Sequence, residues 1–352
     1  DSGACFFRVE NAIDVKTILA LVPNWIGDVA MCTPALRALH KRYPDASLIV
    51  AGRPAACALL DGIPWIADTV SIGGRDGLFG LFQTGSLVRR RRPDIAIAFP
   101  HSFRSAATAW LSGAKTRIGY ARGGRSAFLT ERVPPHQENG KIAPVYMATE
   151  YLDLVLPLGC EDDGAGLELA ADPLLVETFR DHLAGEGPLV GFAPGAAFGP
   201  SKLWPAERYA AVADALHEQC GARCLLLTGP GEEKTRDAVL ANAKHPLLRP
   251  PQPPTIPALK AAISLLDLLI GNDSGSRHVA VAFKVPTICI MGPTAPVYSA
   301  GPYERGEVLR VDVDCGPCQK PVCATDHRCM TRIHADRVTN AAMEWLAKDR
   351  AM

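Results

Sequence analysis

The sequence predicts an α/β protein of two doubly wound domains, each built on a parallel sheet. Three observations carry this expectation. Short apolar runs recur along the chain, each followed by a polar or glycine-bearing loop and then a helical pattern, as in a chain of βαβ units. The length, 352 residues, exceeds what one hydrophobic core usually organises, so two domains of roughly 150–180 residues are expected. The strand–loop–helix series also restarts near Leu189, after a stretch (residues 160–166 and 172–187) that reads as a linker and a connecting helix. These signals divide the chain into residues 1–165, 166–334 and a last helix within 335–352.

In the first half, residues 17–23 (TILALVP) form the first buried strand. A loop with Gly27 and Asp28 follows, then a helix with Ala35, Leu36, Leu39 and Tyr43 on one face. Residues 47–51 (SLIVA) complete a βαβ unit, and no G-x-G-x-x-G follows Pro23, so a dinucleotide fingerprint is absent there. Asp28 lies beyond the first strand's carboxyl end, where open α/β sheets hold ligands. It can cap the helix or serve as a general base facing a cleft. Residues 66–71 and 94–99 read as further strands. The run Arg89, Arg90, Arg91, Arg92 reads either as a solvated helix end or as a contact for a phosphorylated or membrane-surface substrate. Beyond the strand at 94–99, His101 and Arg104, with Arg122 and Arg125 further on, gather cations around one sheet edge, a pocket for an anionic acceptor. A helix over 146–158 closes this half.

In the second half, residues 189–193 begin a new strand series. The loop after them, PGAAFGPSKLWPAERYA, leads into a helix at 205–219. Lys202 just before that helix is poorly placed for the helix dipole and better suited to holding a shared anion. After a strand at 224–228, Glu232 or Glu233 can accept from ribose hydroxyls, although a glutamate in a helix's first turn also suits the dipole. Residues 250–257 read as a proline-rich connection. The segment LLDLLIGNDSGSRHVAVAFKVPTICIMGP then gives an apolar run, a loop with Asp273, Ser274, Gly275 and Ser276, a helix with His278, and the next strand. Such a unit aims free backbone N–H groups at an anion, with Asp273 as a hydroxyl acceptor; it also reads as an ordinary βα turn. Together the three strand-end loops suit a nucleotide diphosphate.

Composition narrows the function. Lys+Arg and Asp+Glu are both 37, so nothing in the total charge suggests nucleic acid. No apolar run reaches the ~20 residues of a membrane span. The first sixteen residues show no basic region followed by an apolar one, so no secretory signal is read. Eleven cysteines in so long a chain suit a reducing cytoplasm. Cys315, Cys318, Cys323 and Cys329, with His327, resemble zinc spacing. A reduced-thiol loop or a disulfide is the alternative.

Three stretches, PNWIGDVAMCTPALRALHKRYP, PGAAFGPSKLWPAERYA and NDSGSRHVAVAFKVPTICIMGPT, resemble in order the signature regions of the bacterial lipopolysaccharide heptosyltransferases, type II most nearly. The resemblance implies a GT-B fold, two Rossmann-like domains facing across a cleft, with the last helix packing back on the first domain. It implies inverting transfer of L-glycero-D-manno-heptose from ADP-heptose to the lipopolysaccharide inner core, with no required metal or other cofactor. The enzyme would be a monomer at the cytoplasmic face of the inner membrane, in peripheral contact with its anionic surface. By this likeness Asp28 is the base and Lys202 holds the donor diphosphate. Asp273 contacts the heptose, Gly275, Ser276 and His278 adjoin the phosphates, and Glu232 or Glu233 binds ribose. Gly-Ser-Arg stands before His278 where Gly-Leu-Met is more usual. A sugar-nucleotide epimerase on the same architecture, a different acceptor, and a non-catalytic nucleotide-sugar binder are the alternatives.

Overall fold

Runs of residues buried on both faces set the strands of each sheet, as parallel strands covered by helices require. The computed structural model describes residues 15–73 and 77–350. Most of the opening segment read for a secretory signal lies outside them. The chain forms two units, Asp1–Ala170 and Ala171–Met352.

The first unit runs β1 (Thr17–Leu21), α1 (Ile26–Arg42), β2 (Ser47–Gly52), α2 (Pro54–Leu60), β3 (Asp68–Ser71), α3 (Gly77–Arg89), β4 (Ile95–Ala98), α4 (Phe103–Leu111), β5 (Thr116–Tyr120), β6 (Glu131–Val133), a short antiparallel pair β7 (Gln137–Glu138) and β8 (Lys141–Ile142), and α5 (Met147–Asp153). Its sheet is parallel, in the order β3-β2-β1-β4-β5-β6. Strand order reverses between β1 and β4, which places the loops after these two strands at the topological switch point where such sheets bind ligands.

Helix α1 is buried from Val29 to Leu39 despite Pro34 in its interior. Proline lacks the N–H that would reach the Ala30 carbonyl. The Thr33 hydroxyl donates to that carbonyl instead, at 2.7 Å, and accepts from the Glu168 N–H at 3.0 Å. Arg37 adds a second tie, donating to Asp163 at 2.6 and 2.7 Å, to Glu168 at 3.0 Å and to the Gly166 carbonyl at 2.9 Å. Residues 163–168 are thus fastened to α1, and the boundary falls after Ala170 rather than after residue 165.

The second unit runs α6 (Pro173–His182), β9 (Leu189–Ala193), α7 (Ala206–Cys220), β10 (Arg223–Leu226), α8 (Glu233–Asn242), α9 (Ile256–Ile263), β11 (Leu268–Asn272), α10 (Gly275–Ala282), β12 (Thr287–Ile290), α11 (Pro296–Ser299), β13 (Gly306–Leu309), α12 (Arg328–Thr331) and α13 (Ala335–Arg350). Its parallel sheet has the order β10-β9-β11-β12-β13, so its switch point lies between β9 and β11. The last helix, expected on the first domain, belongs to this unit. Val338, Ala342 and Leu346 of α13 enter one core with Trp204, Leu216, Ile288 and Ile290, because α13 lies on α7 and on β11–β13.

Helix α9 begins inside the stretch read as a proline-rich connection. Pro257 occupies its first turn, where no N–H is needed, and the Thr255 hydroxyl accepts from the Ala258 N–H at 3.3 Å. Among the described residues no helix is long and apolar enough to cross a membrane.

Arg37 is the tie whose removal reads out most directly. Replacing Arg37 by methionine removes its bonds to Asp163, Glu168 and Gly166, leaving Asp163 to Lys41 and Glu168 to Trp65, and unfolding in urea is expected to show a loss of about 2–3 kcal/mol.

Candidate active site

The second sheet ends in a carboxylate held from four directions. Asp273, directly after β11, is buried. It accepts from Lys202 Nζ at 2.7 Å, Thr294 Oγ1 at 2.7 Å, Arg277 Nη1 at 3.0 Å and Ser299 Oγ at 3.1 Å. Burial alone would push its carboxyl up. The charges of Lys202 and Arg277 outweigh burial and hold it well below the usual carboxylate range. Arg277 is itself buried and grips Glu304 through two bonds of 2.7 and 2.6 Å, while Thr287 Oγ1 donates to Glu304 at 2.6 Å. Two cations and two anions therefore form one chain, Glu304–Arg277–Asp273–Lys202.

Arg277, Glu304, Thr294 and Ser299 were not among the residues expected at the site. The spacing offered one signal, since Arg277 lies four residues after Asp273 and so shares its side of the turn.

Lys202 donates to the Asp273 backbone carbonyl at 2.9 Å as well as to its side chain, and its ammonium lies 5.0 Å from the centre of the Phe198 ring. It ends a single 3-10 turn, Pro200–Lys202, that is braced from far along the chain. The Ser201 N–H donates to the Pro321 carbonyl at 3.0 Å and its hydroxyl to the Lys320 carbonyl at 2.6 Å. His327 Nε2 lies 2.7 Å from the Ser201 carbonyl. The loop carrying Cys315, Cys318, Cys323 and Cys329 is therefore a buttress for the lysine turn. All four are free thiols, and among the described residues no group of three or more His, Cys, Asp or Glu side chains stands close enough to hold a metal ion.

Asn272, the last residue of β11, joins the neighbouring loops. Its Oδ1 accepts from the Tyr209 hydroxyl at 2.9 Å and the Trp204 N–H at 3.3 Å, and its Nδ2 donates to the Pro194 carbonyl at 2.6 Å. Ser274 precedes α10 at the capping position without a capping bond, and Gly275 and Ser276 form the half-buried first turn. Their N–H groups are among those a helix start leaves for a ligand. His278 is buried behind them, and burial followed by the Arg277 charge pushes its imidazole down to about 4.

The two glutamates separate by environment. Glu232 is half-buried, accepts from the Gly229 N–H at 2.7 Å, and lies so close to Gly195 that any side chain there would strike its carboxylate. It faces the loop after β9. Glu233 is exposed and accepts from Gly231 of its own turn at 3.1 Å.

In the first unit, Asp28 occupies the first turn of α1 and is half-buried. Trp25 is the residue at the capping position and its side chain makes no capping bond, while Asp28 lies in the first turn, where a carboxylate also suits the helix dipole. Across the switch point, after β4, Arg122 Nη1 lies 3.0 Å from His101 Nδ1. Arg122 also lies 3.4 Å from Glu150. His101 Nε2 stands 3.2 Å from Glu150 but off the line of a hydrogen bond. Burial, then Arg122 and Arg125, push His101 down to about 4, so the ring is neutral at pH 7 and Nδ1 accepts from Arg122.

Arg125 is wholly buried and donates to the carbonyls of Tyr120, Pro100 and Ser102. It clamps the β4–α4 loop rather than lining an open pocket, with Nη2 left without a hydrogen-bond partner. Arg104 turns to the Gly77 carbonyl at 3.4 Å, where α3 begins. Of the four expected acceptor contacts, His101 and Arg122 thus form a pair, Arg125 supports them, and Arg104 bonds toward the start of α3.

The profile of glycosyltransferase family 9 (heptosyltransferase) matches residues 82–328, more than two thirds of the chain. The chain belongs to glycosyltransferase family 9. This family 9 protein is 28% identical over 313 residues to lipopolysaccharide heptosyltransferase 2 of Escherichia coli K12, with 84% of this chain and 88% of that protein covered. It is 26% identical over 306 residues to lipooligosaccharide heptosyltransferase 2 of Haemophilus influenzae, with the same coverage. Among solved structures it is similar to the family 9 glycosyltransferase of Veillonella parvula, with a TM-score of 0.81, 22% identity, and 95% and 97% of the two chains covered. It is also similar to ADP-heptose LPS heptosyltransferase II of E. coli, with a TM-score of 0.79, 23% identity, and 95% and 99% covered. The fold of this family 9 glycosyltransferase is accordingly the GT-B type expected from its sequence.

The buried imidazole of His278 sets an acid limit on its stability. Its value of about 4 lies below the ~6.5 of an exposed histidine, so between these pH values the unfolded chain binds a proton that the folded chain does not. Stability is expected to fall as pH drops through that window, by up to about 1.4 kcal/mol per pH unit for this one group. Urea titrations at pH 7, 5.5 and 4.5 check this, and His278→Gln should flatten the dependence.

Proposed function

We propose that this protein is an inverting heptosyltransferase that moves L-glycero-D-manno-heptose from ADP-heptose onto the inner core of lipopolysaccharide, as the second heptose, at the cytoplasmic face of the inner membrane. The observation that carries this reading is the Lys202–Asp273 pair at the switch point of the second sheet, 2.7 Å apart beside the start of α10. A diphosphate needs an ammonium and unspent N–H groups converging on one edge, and this edge supplies both. The relatives named heptosyltransferase 2 support the donor and acceptor, and their similarity extends over most of both chains.

In this reading the donor's diphosphate lies on the first turn of α10, at Gly275 and Ser276, with Lys202 beside it. Two N–H groups of Lys202 are taken by Asp273, and the third reaches the phosphate. As the anomeric carbon–oxygen bond breaks, negative charge grows on ADP, and Lys202 with the α10 N-terminus stabilises it without a required metal. Asp273 fixes the ammonium and meets a heptose hydroxyl. Glu232, rather than Glu233, takes the ribose. In the first unit Asp28 is the general base that accepts the proton of the attacking hydroxyl. His101 and Arg122 receive an anionic group of the acceptor, held in place by Arg125.

Two experiments test this. Asp28→Ala should cut release of ADP from ADP-heptose, with a truncated inner-core acceptor, by about 10²–10⁴-fold while ADP binding by calorimetry is unchanged. Unchanged turnover removes Asp28 from the mechanism, and no ADP release with any core acceptor overturns the reading as a whole. Gly195→Ala should push the Glu232 carboxylate aside and weaken ADP binding about tenfold with little loss of stability. Unaltered ADP affinity takes Glu232 out of the donor site.

A further inference from the structure

In the first unit, five large apolar side chains that face solvent fall on two adjacent helices. Leu78, Phe79 and Phe82 of α3 and Phe103 and Trp110 of α4 are each 52–74% exposed. Leu78 and Phe82 are four residues apart and Phe103 and Trp110 seven, so each pair shares a helix face. The helices run side by side. Arg104 at the start of α4 reaches the Gly77 carbonyl at the start of α3, and Gly85, where a Cβ would lie 2.6 Å from Leu111, lets the later turns close together. Phe128 continues the patch, 5.0 Å from Phe103 and 5.8 Å from Trp110 between ring centres.

The two helices and the residues that directly follow them are cationic. Residues 77–92 and 102–117 contain Arg89, Arg90, Arg91, Arg92, Arg104, Lys115 and Arg117 and no acidic residue, in a chain whose net charge is zero. Arg91 is paired with Asp68, and Arg89, Arg90 and Arg92 are exposed at the end of α3. Exposed phenylalanine and tryptophan beside the exposed Arg89, Arg90 and Arg92 match an anionic lipid surface, whose headgroup layer accepts aromatic rings and whose phosphates attract arginine. The patch also adjoins the cationic pair, since Phe103 follows Ser102, whose carbonyl is held by the Arg125 that braces His101.

We propose that the outer face of α3 and α4 is a docking surface for an anionic bilayer, with Leu78, Phe79, Phe82, Phe103 and Trp110 entering the headgroup layer and Arg89, Arg90 and Arg92 meeting lipid phosphate. This rests on the reading above in that it gives a lipid-anchored acceptor a short route to His101 and Arg122. The surface itself stands on exposure and charge.

Co-sedimentation with vesicles tests it, using phosphatidylcholine alone and phosphatidylcholine mixed with phosphatidylglycerol. The protein should bind only the anionic vesicles, less so in added salt, with a blue shift of tryptophan emission that Trp110→Phe removes. The double variant Phe79→Ser, Phe82→Ser should weaken binding at least about tenfold, and Arg90→Gln with Arg92→Gln roughly fivefold per arginine. Both variants should keep full turnover on a deacylated, water-soluble acceptor. Equal binding to neutral vesicles, or unchanged binding in both variants, overturns the proposal. A dimer in gel filtration that the phenylalanine pair dissociates, with no vesicle binding, gives the face to a second copy and also overturns it. Should the phenylalanine variant fail to fold by circular dichroism, the arginine variant and the salt dependence decide. Absence of heptose transfer with every acceptor would end the functional reading while vesicle binding still judged the surface.

Discussion

The second unit of this protein depends on one buried carboxylate being fully satisfied. An ionised aspartate left without partners in a protein interior costs several kcal/mol, enough to remove much of a domain's stability. Asp273 avoids this because four side chains from different segments converge on it: Lys202, Arg277, Thr294 and Ser299. Each segment is thereby fixed relative to the others. The ion pair is less a source of net stability than a device for setting where an ammonium and a helix start point. That is what a diphosphate site needs, since preorganised charge does not have to reorient as the reaction proceeds.

The same constraint explains why the chain passes through so many tight places at this edge. The loop after β9 comes within reach of Glu232 because Gly195 has no side chain, and Asn272 ties that loop to the segment leading into α7. In the first unit the equivalent edge is organised by Arg125, whose guanidinium holds carbonyls after β4 and at the end of β5, while burial, then Arg122 and Arg125, keep His101 neutral. The second sheet's edge thus gathers anions and cations in balance, and the first sets Arg122 and Arg125 near a neutral His101 and Glu150.

Much of this could be read from the amino acids. The strands at 17–21, 47–52, 95–98, 189–193 and 287–290 announce themselves as unbroken apolar runs, because a parallel strand is buried on both faces. Asp28, Lys202 and Asp273 could be placed at strand ends by their loops. Other features depended on contacts distant in sequence. Nothing local to Arg277 says that Glu304 will cover it, and Arg125 looked like an open contact until its bonds to Pro100 and Ser102 were visible. Helix α9 was masked by Pro257, which reads as a breaker although proline is welcome in a first turn. The last helix was misassigned because its apolar face, Val338, Ala342 and Leu346, fits a core without naming which one.

The brace on the Lys202 turn has a consequence for how the protein comes into being. Ser201 is held by Lys320, Pro321 and His327, residues more than a hundred positions downstream. A ribosome delivers β9 and its lysine long before it delivers that brace. The first unit can reach its final form on the nascent chain, whereas the second must wait with its lysine unset until the cysteine-bearing loop emerges. The setting of Lys202 against Asp273 is therefore completed late in translation.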